Sequence, residues 1–400
     1  MTTTTTGAAT TGAATTTAPA RTRRFTGVRS WWARSESTRT PNSVLLVLGV
    51  AVLNIAGLVM VLSASSVRSI DVTGTPWSFF ERQLMWTALG VVGFVVVSRI
   101  DYRSWRRVTV PLLAVAIGLL LVVLVPGLGL KVDGARRWLG YEQFRLQPSE
   151  IAKLALLVFA ADVLTRREHE VGQWKRALRP IGLVLGLVAA LMMAEPDLAS
   201  LMVIAVIVIA TLVVGGVRVR HLSVLGGVAI AGVTIAAFAS PWRRARMLSF
   251  LHPNNDPNNT GYQVTQSLIA VTRGSWTGVG LGAGRSKWRF LPAAHTDFIF
   301  AVIGEELGLV GCALVVGLFA LIAVIGVRTA ARAPDRFGMI MATGATAWIV
   351  GQAVLNLGAV VGVLPVTGVP LPFVSFGGTA LVTTMVAAGM LVNVARQGRS

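Results

Sequence analysis

Apolar residues in this chain do not alternate with polar ones at the period of a strand. Nor do they mark a single stripe of a helix; they come in blocks that are apolar all round. The blocks lie at 43–64, 82–98, 108–126, 148–165, 180–195, 198–216, 221–239, 307–327, 338–361 and 379–395. About 18 or more such residues suffice to cross a bilayer as a helix. The pattern predicts an all-α polytopic membrane protein with about ten transmembrane helices. Only Glu195, Pro196 and Asp197 separate the fifth block from the sixth, which predicts a tight break rather than one long helix. The chain then divides into a tail at 1–42, a membrane domain at 43–396 and a short tail at 397–400. Within the domain, a large loop at 240–296 joins helices seven and eight.

Charge orients the spans. With both termini cytoplasmic, 22 of the 36 Lys and Arg residues fall in inside segments, as the positive-inside rule requires. The loop at 240–296 is then extracytoplasmic. The first 20 residues are low in complexity and rich in threonine. They lack the charged start and apolar centre of a cleaved signal peptide and read, with the basic stretch behind them, as a disordered cytoplasmic tail. The net charge of +19 invites a nucleic-acid reading. The basic residues are scattered through loops between apolar blocks, so no nucleic acid is expected. The single cysteine, Cys312, allows no internal disulfide and reads as a small hydrophobe in an apolar run.

The outer charges carry more information. Of 13 Lys and Arg residues outside, 11 sit in two loops. Loop 127–147 holds Lys131, Arg136, Arg137 and Arg145. Loop 240–296 holds Arg243, Arg244, Arg246, Arg273, Arg285, Lys287 and Arg289. Topology does not require charge there. An anionic ligand would explain it, since guanidinium pairs well with phosphate; anionic lipid headgroups are the alternative. The longer loop exceeds a simple connection. Within it, 241–251 reads as a basic interfacial amphipathic helix and 261–271 as another short helix. "GVGLGAG" at 278–284 lacks the dinucleotide fingerprint spacing and suits a tight, close-packed turn.

"FLPAAHTDFIFAVIGEELG" at 290–308 puts His295, Asp297, Glu305 and Glu306 at the edge of the eighth block. Acidic residues beside hydrocarbon are a functional hypothesis by default. Residues 307–327 already cross about 30 Å at 1.5 Å per residue. Both glutamates then lie near the outer edge and Asp297 beyond it. On a continuous helix Asp297, Ala301, Gly304 and Gly308 would share one face, opening onto a protein-lined cleft. Capping is the plain alternative for Asp297, although no Glu or Gln lies three residues on to complete a capping box.

"GARRWLG", "QPSEIAKL", "EPDL", "GYQVTQSLIA", "GVGLG", the 290–308 segment and "GVLPVTGVPLPFVSFGG" occur in that order. This ordered set resembles the SEDS proteins (shape, elongation, division and sporulation) over about residues 43–395. "GYQVTQSLIA", "IGEELG" and the "VNVARQ" ending look more like the division branch (FtsW type) than the elongation branch (RodA type). The resemblance implies a ten-span peptidoglycan glycosyltransferase that polymerises lipid II at the outer face of the cytoplasmic membrane, at the division septum. A class B penicillin-binding protein, a transpeptidase, and other division proteins are its implied partners. The family's essential acid falls on Asp297. Its motif tryptophan falls on Trp138 behind Arg136 and Arg137, and its polar pair on Glu150 and Lys153. Ala293, Ala199 and "SFGGTA" depart from the usual pattern and put nearby accessory contacts in doubt.

Asp297 would act as general base on the acceptor 4-hydroxyl, a task worth about 10²–10⁴-fold. Arg136, Arg137, Lys153 or Arg285 would stabilise the departing pyrophosphate, and a divalent cation (Mg or Mn) could share that task. No ligand set for it is legible, and no organic cofactor is expected. His295, Glu305 and Glu306 complete the candidate substrate contacts. Each has a plain alternative. Trp138 suits a membrane-interface anchor, and His295 a loop-backbone hydrogen bond. Glu150 and Lys153 suit a structural ion pair, Glu195 and Asp197 a helix break. Glu305 and Glu306 suit pairing with loop arginines. The segment 365–378 suits a re-entrant or capping loop, tolerable only if buried in protein. Two functional rivals stand: a lipid II flippase, which should show paired repeats or broken helices at the midplane, and a non-catalytic division scaffold.

Overall fold

The computed structural model describes residues 1–4, 40–132, 135–141, 144–170, 178–238, 244 and 260–398. Most of the N-terminal tail and nearly all of the 241–251 segment lie outside the described residues. All ten apolar blocks form helices: α1 (Pro41–Thr73), α2 (Ser78–Arg99), α3 (Trp105–Leu124), α4 (Pro148–Arg166), α5 (Arg179–Ala194), α6 (Leu198–Val214) and α7 (Val219–Phe238) come first. A short α8 (Thr260–Arg273) comes next, on the predicted loop helix. Then come α9 (Ile299–Ala331), α10 (Arg336–Val360) and α11 (Gly378–Gln397). Six of these, α1, α2, α3, α9, α10 and α11, are each long and apolar enough to cross a membrane. α5 and α6 are shorter, with 16 and 17 residues.

The core lies where α10 and α11 meet α1, α2, α4, α6 and α9. Large apolar side chains such as Leu183, Val110, Ile230 and Ile235 point outward from α5, α3 and α7. Apolar exposure on this scale fits a lipid-facing surface. The start of α1 and the end of α11 lie on one face: the Thr40 hydroxyl, which caps α1 by accepting from the Ser43 N–H, donates to the Ala395 carbonyl at 2.9 Å. Charged clamps knit this face. Asp335 caps α10 through the Gly338 N–H and accepts from Tyr102 and Arg103, while Asp162 pairs with Arg106 and Arg166.

The opposite face departs from an all-helical picture. Loop 127–147 is not plain loop but a three-stranded antiparallel sheet, β1 (Leu130–Val132), β2 (Ala135–Tyr141) and β3 (Phe144–Leu146). Apolar-block reading misses these strands because β1 and β3 have three residues each and β2, seven residues long, carries Arg136, Arg137, Gly140 and no apolar alternation. The sheet docks on the bundle. Phe144 meets Trp86 of α2 edge-on at 6.2 Å, and the Gln147 N–H reaches Thr379 of α11 at 3.2 Å.

Candidate active site

Asp297 sits half-buried in the turn that enters α9, not on the helix itself, which begins at Ile299. The shared helix face predicted for Asp297, Ala301, Gly304 and Gly308 therefore does not form. What holds Asp297 instead is the backbone around it. The carbonyls of His295, Thr296 and Asp297 each accept one bond, from the Phe376 N–H (3.0 Å), the Ser375 hydroxyl (2.6 Å) and the Asn356 side-chain amide (2.8 Å). The same Asn356 amide also binds the Val369 carbonyl. Three consecutive carbonyls pinned to α10 and the 365–378 segment fix where the carboxylate can reach. That segment is itself buried from Leu371 to Ser375, as its lack of regular structure demands in a membrane protein.

His295 packs between two rings, edge-on to Phe79 at 5.2 Å and tilted to Phe376 at 5.8 Å. Burial, reinforced by the Arg68 charge, pulls its pKa down to about 4, so it is neutral at pH 7. Arg82 lies over the Phe79 ring at 6.0 Å. Arg68 and Arg82 have no carboxylate or hydrogen-bond partner among the described residues. These are the two outer arginines that belong to neither long loop. Their isolation in sequence hid them; the signal was that each is a charge left over beside a span end.

Glu305 and Glu306 are fully enclosed, at 0% exposure. They cannot touch a substrate, and the substrate-contact reading gives way to a scaffolding one. Helix α9 breaks at Gly308 (φ 68°, ψ −164°). The freed carbonyls of Glu305 and Glu306 accept from the Val279 and Gly280 N–H groups, while the Leu309 and Val310 N–H groups donate to the Ser275 and Trp276 carbonyls. The carboxylates clamp the same loop. Glu305 accepts from the Arg285 and Ser286 N–H groups (2.9 and 3.0 Å), from the Ser286 hydroxyl, and from Arg273 at 3.5 Å. Glu306 takes the Ser63 hydroxyl at 2.7 Å, the Gly282 N–H at 3.1 Å and Lys287 at 3.4 Å. The 278–284 glycines serve close packing: a Cβ on Gly278 would stand 2.1 Å from the Glu306 carbonyl oxygen, at a φ of +79°. Arg285 uses its backbone in this clamp and leaves its guanidinium exposed.

The other candidates divide. Lys153 and Glu150 form a buried ion pair at 2.8 Å; Thr383 and Gln352 satisfy the remaining atoms, and Lys153 lies over the Trp348 ring at 5.1 Å. Gln352 carries the network on to the Pro370 carbonyl. The pair thus braces the loop behind Asp297 and matches its structural alternative. Arg137 is half-buried and its guanidinium is engaged by the backbone. It donates to the Glu195 and Pro196 carbonyls at 3.2 and 2.5 Å, tying β2 to the α5–α6 turn. Arg136 is exposed and without a side-chain partner among the described residues, and Trp138 is half-buried on the same strand. Asp197 caps α6 through the Ser200 N–H and accepts from Gln147. Glu195 is 1% exposed, and neither carboxylate oxygen has a hydrogen-bond partner among the described residues. Burial, then the Asp197 charge, pushes its pKa up to about 8 against a downward pull from Arg137. No group of three or more His, Cys, Asp or Glu side chains gathers to hold a metal ion among the described residues.

Comparison with known proteins agrees with this architecture. Residues 43–400 match the family model of FtsW, RodA and SpoVE, described as cell cycle protein. A probable peptidoglycan glycosyltransferase FtsW of Mycobacterium tuberculosis is 40% identical over 353 residues, covering 88% of this chain and 67% of that protein. A solved chain from a peptidoglycan synthase complex that coordinates polymerization and crosslinking superposes with a TM-score of 0.70 at 29% identity, covering 88% of this chain and 96% of that one. The rod shape determining protein RodA of Thermus thermophilus superposes with a TM-score of 0.65 at 27% identity, covering 89% and 97%. With nearly the whole membrane domain matched in both sequence and fold, the chain belongs to the FtsW/RodA/SpoVE family, the SEDS proteins.

Proposed function

We infer that this chain is a peptidoglycan glycosyltransferase that polymerises lipid II at the outer face of the bacterial cytoplasmic membrane, during septal wall synthesis. The observation that carries the reading is the placement of Asp297. It stands half-buried in a loop pinned by three backbone carbonyls, on the face opposite the start of α1 and the end of α11. The excess of Lys and Arg on the end-bearing face makes that face cytoplasmic.

Asp297 takes the proton of the acceptor N-acetylglucosamine 4-hydroxyl as that oxygen attacks C1 of the donor strand's terminal sugar. The C1–oxygen bond to pyrophosphate breaks, and undecaprenyl pyrophosphate leaves with the electron pair. That leaving group is strongly anionic. Arg68 and Arg82, unpaired among the described residues and adjoining the His295 loop, are placed to hold it. The exposed guanidiniums of Arg136 and Arg285 add to the positive field on this face. His295, neutral at pH 7, packs the loop rather than carrying charge. The partner is a class B penicillin-binding protein that crosslinks the new strand, in keeping with the synthase complex to which one structural neighbour belongs.

The test is purified protein with lipid II, alone and with its transpeptidase. Glycan should form with the wild type, and Asp297→Asn should lose about 10²–10⁴-fold of the rate while keeping its thermal stability. Undiminished polymerisation by that variant removes Asp297 from the mechanism. Translocation of fluorescent lipid II across sealed vesicles without any polymer would replace the polymerase by a flippase.

A further inference from the structure

Helix α9 fixes the membrane depth of the loop it clamps. Past its break at Gly308, exposed Val310, Leu314, Leu321 and Val324 share one apolar face, and exposed Arg328 ends that face. From Val310 to Arg328 the helix rises about 27 Å at 1.5 Å per residue, close to the thickness of a hydrocarbon core. With the Arg328 charge at one headgroup level, Val310 lies at the opposite edge of the hydrocarbon. The 275–284 loop is bonded to that edge. The Leu309 and Val310 N–H groups donate to the Ser275 and Trp276 carbonyls at 2.9 and 3.2 Å. Trp276 is 70% exposed, Leu281 59%, and Val279 between them is exposed as well. No charged residue lies between Arg273 and Arg285. The loop therefore prolongs the lipid-facing surface of α9 with an uncharged, apolar one.

We propose that the 275–284 loop is an interfacial anchor that seats Trp276, Val279 and Leu281 in the phospholipid leaflet on the Asp297 side. Irregular backbone is not tolerated facing hydrocarbon, so the loop belongs at the interface and not in the core. Tryptophan is enriched at that level because its ring is amphipathic. The exposed Arg285 guanidinium at the end of the uncharged stretch suits the phosphates above it. Lipid is the occupant because the surface continues the apolar face of α9 through direct backbone bonds and stops at the hydrocarbon edge. The same loop holds the Glu305 and Glu306 carbonyls through the Val279 and Gly280 N–H groups. Leaflet contact is thereby coupled to the first turns of α9, which follow Asp297 directly. The anchor sets the height of that turn above the leaflet, and it stands whether or not Asp297 is the base.

The experiment is fluorescence quenching of the full chain in nanodiscs of phosphatidylcholine and phosphatidylglycerol. Cys312 is the single cysteine and is buried, so in a Cys312→Ala background one small fluorophore can be placed by Trp276→Cys or Leu281→Cys. Leu314→Cys is the lipid-facing reference, and Glu168→Cys, exposed beyond the end of α4, the aqueous one. At both loop positions, a nitroxide near the top of the lipid acyl chain should quench several-fold more than aqueous iodide. Leu314→Cys should show the same order and Glu168→Cys the reverse. Leu281→Cys decides if Trp276→Cys does not fold. Iodide quenching of the loop at the Glu168→Cys level overturns the proposal, and so does shielding from both quenchers. Lipid quenching that vanishes when the transpeptidase is added gives the surface to that protein and overturns it too.

Discussion

Glu305 and Glu195 are almost equally sealed from solvent, at 0% and 1% exposure; Glu305 lies in α9 ahead of its break at Gly308, and Glu195 at the turn between α5 and α6. They differ in what they meet. Glu305 is offered two backbone N–H groups, a hydroxyl and a guanidinium. Glu195 is offered no hydrogen bond among the described residues. Burial with donors holds a carboxylate in one ionic state and makes it a fastener. Burial without donors favours the neutral form and leaves a group that titrates near physiological pH. Burial alone therefore says nothing about whether a carboxylate is a scaffold or a sensor; the donor count decides.

The sharpest way to break the Glu305 side of this comparison is through its backbone. Gly308→Ala forces a Cβ to within 2.4 Å of the Gly278 nitrogen at a φ of +68°. It should destabilise by about 3 kcal/mol or more, or prevent recovery of folded protein, as read by Tm and size-exclusion yield. Glu305→Gln sets an amide donor against donors that expect an acceptor. It should cost about 2–4 kcal/mol and reduce polymerisation, because the 275–290 loop is no longer held. Equal Tm in wild type and Glu305→Gln would mean that the clamp contributes nothing.

Glu195→Gln should move stability the other way and by less. Below about pH 4.5 the folded and unfolded chains both hold the Glu195 proton; between there and about pH 8 only the folded chain does. Wild-type stability should thus decline as pH rises through this window. Glu195→Gln removes that decline, so its Tm should exceed the wild type's at pH 8 and match it near pH 4.5. A parallel Tm profile for the two proteins from pH 4.5 to 8 would refute the unpartnered state of Glu195.

Much of the molecule was legible in the chain. The ten apolar blocks became ten helices because in hydrocarbon a helix satisfies its own backbone, so hydropathy alone fixes the element. The EPD break held because Pro196 removes a donor and Asp197 caps α6 immediately after it. The glycine-rich stretch at 278–284 was legible as close packing, though not what it packs against. Asp297 stood out because an acid beside an apolar block needs a reason.

Hydropathy along the chain was enough to set the helices, and charge along it to propose their orientation and to single out the one carboxylate on which chemistry is proposed. Each of these comes from the cost of placing polar groups in lipid, which is a local property of the chain. Whatever depends on partners from afar was settled by packing. Glu305 and Glu306 became fasteners because a loop some 20 residues upstream supplies their donors. Arg137 was taken by a turn 58 residues away. Arg82 joined the site because Phe79, which it overlies, meets His295 edge-on, and Arg68 because its charge acts on His295. No pattern within one segment encodes those meetings; they exist only once the helices have packed.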